Sequence, residues 1–259
     1  MKYIPYVNVK MGTRSHPRRS YGNTLPLVQI PFGMASFSVQ TESREGWFFH
    51  PDHEFAEGVR LTHQPSPWIR DYGTFLMMPQ NDCVGNSASG AWSGYRIQDS
   101  VMRPDYLKIS FLRSNSTFEL TPTERGAAIR IEFKDERSSY LSFLPTKGNY
   151  TYRYDEENST LFGTTDGHGS DNAQNFIMYF AVKFLDGCVD AERTYAVGEE
   201  SSACIHVAVK KKNVEARIGI SYISEKMASD AIKRECADMT FDEIQRLAEE
   251  NWEEKLHRI

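Results

Sequence analysis

Residues 106–133 read YLKISFLRSNSTFELTPTERGAAIRIEF, and the fold is decided here. Apolar residues recur at every second position: Leu107, Ile109, Phe111; Phe118, Leu120; Ala127, Ile129, Ile131, Phe133. A period of two puts successive side chains on opposite faces of a pleated backbone, so each run predicts a half-buried strand. The intervening residues are turn formers and too few for a crossover helix. Strands joined this closely pair antiparallel.

Outward from this stretch the pattern continues. Segments 140–144, 149–154, 160–164, 204–210 and 216–223 are β-branched or aromatic and mostly alternate. Asp155-Glu156-Glu157-Asn158 reads as a turn between two of them. Segment 175–185 is apolar almost throughout and predicts a strand buried on both faces. Residues 1–105 are rich in Gly, Pro, Trp, His and Asn, with short apolar runs at 25–30 and 74–78. They read as long functional loops. Beyond 223 the period changes to that of a helix. Segment 224–237 has Ser224 as its N-cap, and Thr240-Phe241-Asp242-Glu243 fits a capping box with Met239 and Ile244 as the staple. Phe241, Ile244, Leu247, Ala248, Trp252 and Leu256 form an apolar stripe. Such a stripe either docks on the β body or leads to a further domain. The expected architecture is a mostly β antiparallel sandwich over 1–223, followed by a helical segment over 224–259.

Composition excludes several classes. The 259 residues carry a formal charge of −5 with no long basic run, which argues against a nucleic-acid binder. No stretch of about 18 apolar residues is present, so no membrane span is expected. Cys83, Cys188, Cys204 and Cys236 lack paired spacing, which argues against a zinc site or a disulfide framework. No apolar signal region opens the chain, so a cytoplasmic location is expected. The 15 Phe, 13 Tyr and 4 Trp suit broad sheets and stacking surfaces.

Several segments of the first 125 residues stand out by type and order. They are Asn8, Gly12-Thr13, Gly22-Asn23-Thr24-Leu25-Pro26, Pro31-Phe32-Gly33-Met34, Gly46-Trp47, Leu61-Thr62-His63, Asp71-Tyr72-Gly73 and Glu119-Leu120-Thr121 with Arg125. In this order they resemble the N-terminal domain of glycoside hydrolase family 92, the calcium-dependent, exo-acting α-mannosidases. Ile220-Ser221-Tyr222-Ile223-Ser224 and the spacing of Ala248, Trp252, Leu256 and Ile259 extend the resemblance over nearly the whole chain. Two loops depart from the family pattern, 14–20 and 64–70, and both are expected to face substrate.

The resemblance implies a galactose-mutarotase-like β-supersandwich packed on a C-terminal (α/α)6 barrel of the same polypeptide, with the pocket for terminal α-mannosides between them. It implies inverting hydrolysis by the full-length enzyme, with the general acid, the general base and most calcium ligands beyond this chain. No catalytic and no metal residues are therefore assigned within the 259 residues, and the fragment alone is expected to be inactive. The rival expectations are a stand-alone carbohydrate-binding module and a purely structural sandwich.

The candidate substrate-binding residues are Trp47, His63, Trp68, Asp71 and Asn23. A loop Trp offers an apolar face and an N–H to a sugar, or else packs in a core. His63 is a hydroxyl ligand or a satisfied structural histidine. Asp71 binds a hydroxyl, holds His63 in one tautomer or caps a turn. Asn23 is a pocket residue or ordinary turn chemistry after Gly22. His50 and Asp52 are weaker candidates. Pro31-Phe32-Gly33-Met34 reads as structural, with a buried Phe and a Gly allowing close approach. Residues 166–172 look metal-like in composition but lack the EF-hand spacing and read as a loop.

Overall fold

The computed structural model describes residues 2–14, 22–42, 47–63, 71–82, 84–135, 137–167, 176–198, 203–236 and 238–258. Its strands begin with β1 (Ser36–Gln40), β2 (Phe55–Ala56), β3 (Gly58–Thr62), β4 (Phe75–Asn81), β5 (Ser93–Gly94) and β6 (Val101–Arg103). There follow β7 (Tyr106–Phe111), β8 (Ser116–Pro122), β9 (Gly126–Phe133), β10 (Ser139–Leu144) and β11 (Tyr150–Asp155). The last are β12 (Thr160–Thr165), β13 (Met178–Phe184), β14 (Tyr195–Val197), β15 (Cys204–Val209) and β16 (Asn213–Ser221). Helices are α1 (Ala88–Ala91), α2 (Glu225–Glu235) and α3 (Phe241–Leu256).

Among the described residues these strands form three sheets. A six-stranded sheet runs β1-β3-β4-β10-β15-β14, an eight-stranded sheet β11-β12-β13-β16-β9-β8-β7-β6, and β2 and β5 form a ribbon. Every strand pairing among the described residues is antiparallel, as the short connections require. The alternation in 106–133 sets the register. Leu107 lies opposite Leu120 and Ile109 opposite Phe118, while Phe118 meets Ile131 and Leu120 meets Ile129. This face joins Phe37, Leu61, Phe75, Leu141 and Phe143 of the six-stranded sheet in one apolar core. Each large side chain so buried contributes roughly 1.5–3 kcal/mol.

The six-stranded sheet is covered on its outer side too, where polar residues stand beside the buried Leu76, Met78 and Leu144. In β1 and β3 the outward residues are Ser36, Ser38, Gln40, Arg60 and Thr62; further across come Gln80, Ser142 and His206. All are buried. Buried polar groups require partners, and the cover supplies them. Gln80 exchanges hydrogen bonds with Gly85, and Asn86 Oδ1 stands 3.0 Å from His206 Nε2. Gln40 donates to Glu57 at 2.7 Å, and Phe48 lies under the Arg60 guanidinium. The first 105 residues thus provide three strands of the sheet as well as its cover. The expectation of long loops over this region is corrected here: β1, β3 and β4 run through it, buried on both faces by the core and the cover.

Strand β13 is buried on both faces except at Lys183, with Tyr179 half-buried. Phe180 and Val182 enter the main core, and Ala181 lies beneath α2. Both helices dock on the outer face of the eight-stranded sheet. Ala228, Ile232, Phe241 and Ile244 pack with Ala128, Ala181 and Phe162. A Cβ on Gly219 would lie 2.2 Å from the Ala228 carbonyl oxygen, so only glycine permits this approach. Ser224 caps α2, and both halves of the Thr240–Glu243 capping box are present at α3. Trp252 Nε1 donates to the Gln29 carbonyl at 2.7 Å, and Glu253 accepts from the Tyr3 and Ile4 amides. The apolar stripe of α3 docks on the β body. Among the described residues, no helix is long and apolar enough to cross a membrane. Cys188, Cys204 and Cys236 are buried free thiols.

Candidate functional site

Strand β3 ends at Thr62, and the chain then presents His63. Asp71 fixes this corner. One carboxylate oxygen accepts from the His63 amide at 3.0 Å and the Tyr72 amide at 2.8 Å. The other accepts from the Thr62 hydroxyl and faces the Arg60 guanidinium at 3.9 Å. Asp71 therefore holds the backbone on both sides of the loop and does not touch the imidazole in these bonds. This matches its turn-capping reading more than its tautomer-holding one.

The ring is held by other groups. His63 Nδ1 stands 2.8 Å from the Met34 carbonyl oxygen. A carbonyl only accepts, so Nδ1 carries the proton, and in the corresponding tautomer Nε2 is an acceptor. Tyr222 packs against the imidazole at 4.8 Å between centroids, Phe176 against Tyr222 at 4.9 Å, and Tyr72 against Phe176 at 5.2 Å. Burial pushes the Tyr222 phenol well above its ordinary pKa, with the Asp71 charge adding to the shift. Tyr222 therefore stays neutral and its hydroxyl remains a donor.

Met34 is positioned in turn. Its amide donates to the Glu124 carbonyl at 2.7 Å. Glu235, at the end of α2, grips the same loop: it accepts from the Thr123 hydroxyl and the Arg125 amide, both at 2.8 Å, and from the Arg125 guanidinium at 3.1 Å. A path of direct contacts runs from α2 through loop 123–125 and Met34 to His63.

The Pro31-Phe32-Gly33-Met34 segment corrects an expectation. Phe32 is 92% exposed, not buried. The Gly33 amide donates to the Ile30 carbonyl, closing a turn with Pro31 second and Phe32 third, and Phe32 has φ +62. That position of a type II turn favours glycine. Gly33 does serve close approach, since a Cβ there would lie 3.0 Å from Ile30 Cγ1.

The other candidates lie apart. Asn23 adopts φ +51 and is 7% exposed, and its Oδ1 has no hydrogen-bond partner among the described residues. It belongs to a clasp in which Gly12 and Gly22 touch; a Cβ on Gly22 would lie 2.6 Å from Gly12 Cα. Thr24 closes the clasp with bonds to the Gly12 and Met11 carbonyls. Trp47 is half-buried and precedes Phe48, which carries Arg60 at 4.5 Å. Trp68 lies outside the described residues, as does most of 166–172. The structure brings His63 and Asp71 together and adds Met34, Thr62, Tyr222 and Phe176, which sequence reasoning did not select. Tyr222 stood within a matched segment, but nothing local marked its ring as a neighbour of His63.

The donor set does not fit calcium, which takes about six to eight oxygens. Both Asp71 oxygens are engaged by protein groups, and no three His, Cys, Asp or Glu among the described residues could hold a metal ion.

A family model described as the glycosyl hydrolase family 92 N-terminal domain matches residues 6–221. Among solved structures, the family GH92 inverting mannosidase BT2199 from Bacteroides thetaiotaomicron VPI-5482 is 28% identical with a TM-score of 0.90. The GH92 α-mannosidase BT3965 from Bacteroides thetaiotaomicron is 20% identical with a TM-score of 0.80, which shows a shared fold. Each match covers 99% of this chain, which in turn spans 36% of the first structure and 38% of the second. No curated protein matches the chain.

Proposed function

Because the chain belongs to glycosyl hydrolase family 92, as its N-terminal domain, we propose that it forms one wall of the sugar pocket of an inverting α-mannosidase. The observation that carries this reading is the imidazole of His63, fixed by Met34 and Tyr222 with Nε2 as its acceptor. A mannose hydroxyl donates to Nε2, and the adjoining aromatic rings offer apolar faces to sugar C–H groups. The substrate class of this reading is terminal α-mannosides of glycans, which the mannosidase activity named for the 28% identical relative supports. The 28% identical relative is an inverting mannosidase, which supports inversion.

In this reading a (α/α)6 domain follows the helical segment 224–259 and supplies the proton donor and the base. Inversion needs two carboxyl groups about 6.5–9.5 Å apart, leaving room for the attacking water. Asp71 is unsuited to either role, because its oxygens are committed to the backbone amides and Thr62. Calcium, where the family uses it, would find its ligands mainly outside this chain. The wall contributes orientation: its binding energy places the glycosidic bond and does not itself break it.

The 259-residue chain alone is expected to release no mannose from α-mannobiose. In the enzyme that joins it to the barrel, His63→Ala is expected to lower kcat/KM by about 10–100-fold, the loss of one or two hydrogen bonds to substrate. An unchanged kcat/KM in that variant overturns the assignment of His63.

A further inference from the structure

At the opposite end of β1 and β3 lies a cleft of about 530 Å³. The β1–β3 register starts at Ser36 opposite Thr62, beside His63, and ends at Gln40 opposite Gly58. His53 Nδ1 stands 3.4 Å from the carbonyl oxygen of Thr41, the residue after β1, which ties the cleft wall to this far end. Four residue steps of strand, about 14 Å, separate it from the His63 corner. The β2–β5 ribbon forms its edge. Phe55 pairs with Gly94, the Tyr95 amide donates to the Glu54 carbonyl, and the Leu112 amide to the Gly94 carbonyl.

Three features of the cleft and of the ribbon at its edge point to one ligand chemistry. Glu54, Arg96 and Gln98 line it and present planar polar groups beside the apolar Leu112. Phe55 and Trp92, 41% and 49% exposed, stand edge to face at 6.2 Å on the ribbon, and His53 stacks on Phe55 at 5.3 Å. Tyr95 lines the cleft at 1% exposure, and its buried hydroxyl has no hydrogen-bond partner among the described residues. A buried hydroxyl without a partner is destabilising, and a ligand hydroxyl that reaches it relieves that cost. The charges favour a neutral guest: Asp52 is paired with Arg14, and Glu54 faces the same space as Arg96.

We propose that this cleft is a second carbohydrate-binding site, separate from the His63 pocket, which takes a neutral mannosyl oligosaccharide. One pyranose enters beside Tyr95, and its neighbour lies against Phe55 and Trp92. The mannosyl identity of the ligand rests on the family 92 reading, whereas the site rests on its own geometry.

The test is calorimetric titration of the 259-residue chain with an α-linked mannotetraose. In the His63→Ala chain, where the first pocket is disabled, one tetraose is still expected to bind. Adding Tyr95→Phe or Trp92→Ala to that chain is expected to weaken binding about fivefold or more. Tyr95→Phe keeps the ring and removes the unpartnered hydroxyl, so its melting temperature is expected to stay within about 2 °C or to rise. Undiminished binding in both double variants, or no binding in the His63→Ala chain, overturns the second site. Hydrolysis by the full enzyme carrying His63→Ala reports on the first pocket alone, so the two readings fail separately.

Discussion

The Asp71 carboxylate takes hydrogen bonds from the amides of His63 and Tyr72, so it fixes the chain, while the Met34 carbonyl fixes the ring. A His and an Asp eight residues apart were legible in the sequence as candidates. The partner that sets the tautomer was not, because any residue can offer a carbonyl oxygen and Met34 lies 29 positions away. Phe32 was misread for a related reason: Pro31 announces a turn, but hydrophobicity alone placed the ring inside. A bulky residue held in the left-handed region at 92% exposure gains little from packing and bears backbone strain. Phe32→Gly is therefore expected to raise stability by about 0.5–1 kcal/mol, read from urea denaturation. A clear loss of stability would mean that Phe32 holds the turn through contacts of its own.

Helix α2 does more than cover the sheet. Its closing residue, Glu235, secures loop 123–125, whose Glu124 carbonyl receives Met34. The side chain is only 14% exposed and accepts three hydrogen bonds. Glu235→Ala leaves the Thr123 hydroxyl and the Arg125 amide without that acceptor, and is expected to cost about 1.5–3 kcal/mol. Because Met34 moves with the loop, kcat/KM of the complete enzyme is expected to fall as well, and Glu235→Gln, which keeps one acceptor oxygen, should recover part of it. A stability loss with unchanged kcat/KM would separate α2 from the site. The helix itself was legible: Ser224 and the Thr240–Glu243 box are local signals that stop and start helices wherever they occur. Which sheet the helices would cover was not, because any apolar face of sufficient width accepts such a stripe.

Across the whole molecule, the covered outer face of the six-stranded sheet links stability to pH. His206 is fully buried, with Nδ1 2.8 Å from the Ser142 hydroxyl and Nε2 between Asn86 Oδ1 and the Cys204 thiol. Tyr195 packs on the ring. Burial lowers its pKa from 6.5 to about 4. The unfolded chain binds a proton near pH 6.5 that the folded chain refuses until near pH 4. Stability from the neutral ring is thus complete above pH 6.5 and erodes as pH falls towards 4, by about 3 kcal/mol in total. His206→Gln is expected to flatten the melting-temperature profile across this window. A wild-type and a variant profile of equal slope would remove His206 from the account. The strand series at 106–133, the antiparallel pairing, both helices and the family's motifs were fixed by sequence alone, because periodicity, capping and turn chemistry are set by neighbours along the chain. The burial of polar residues on a covered sheet face, the exposure of Phe32 and the meeting of His63 with Tyr222 were decided only by the tertiary structure. Tyr222 and the Tyr72 carbonyl it approaches are 150 positions apart, and such contacts exist only once two sheets and their cover have closed on one core.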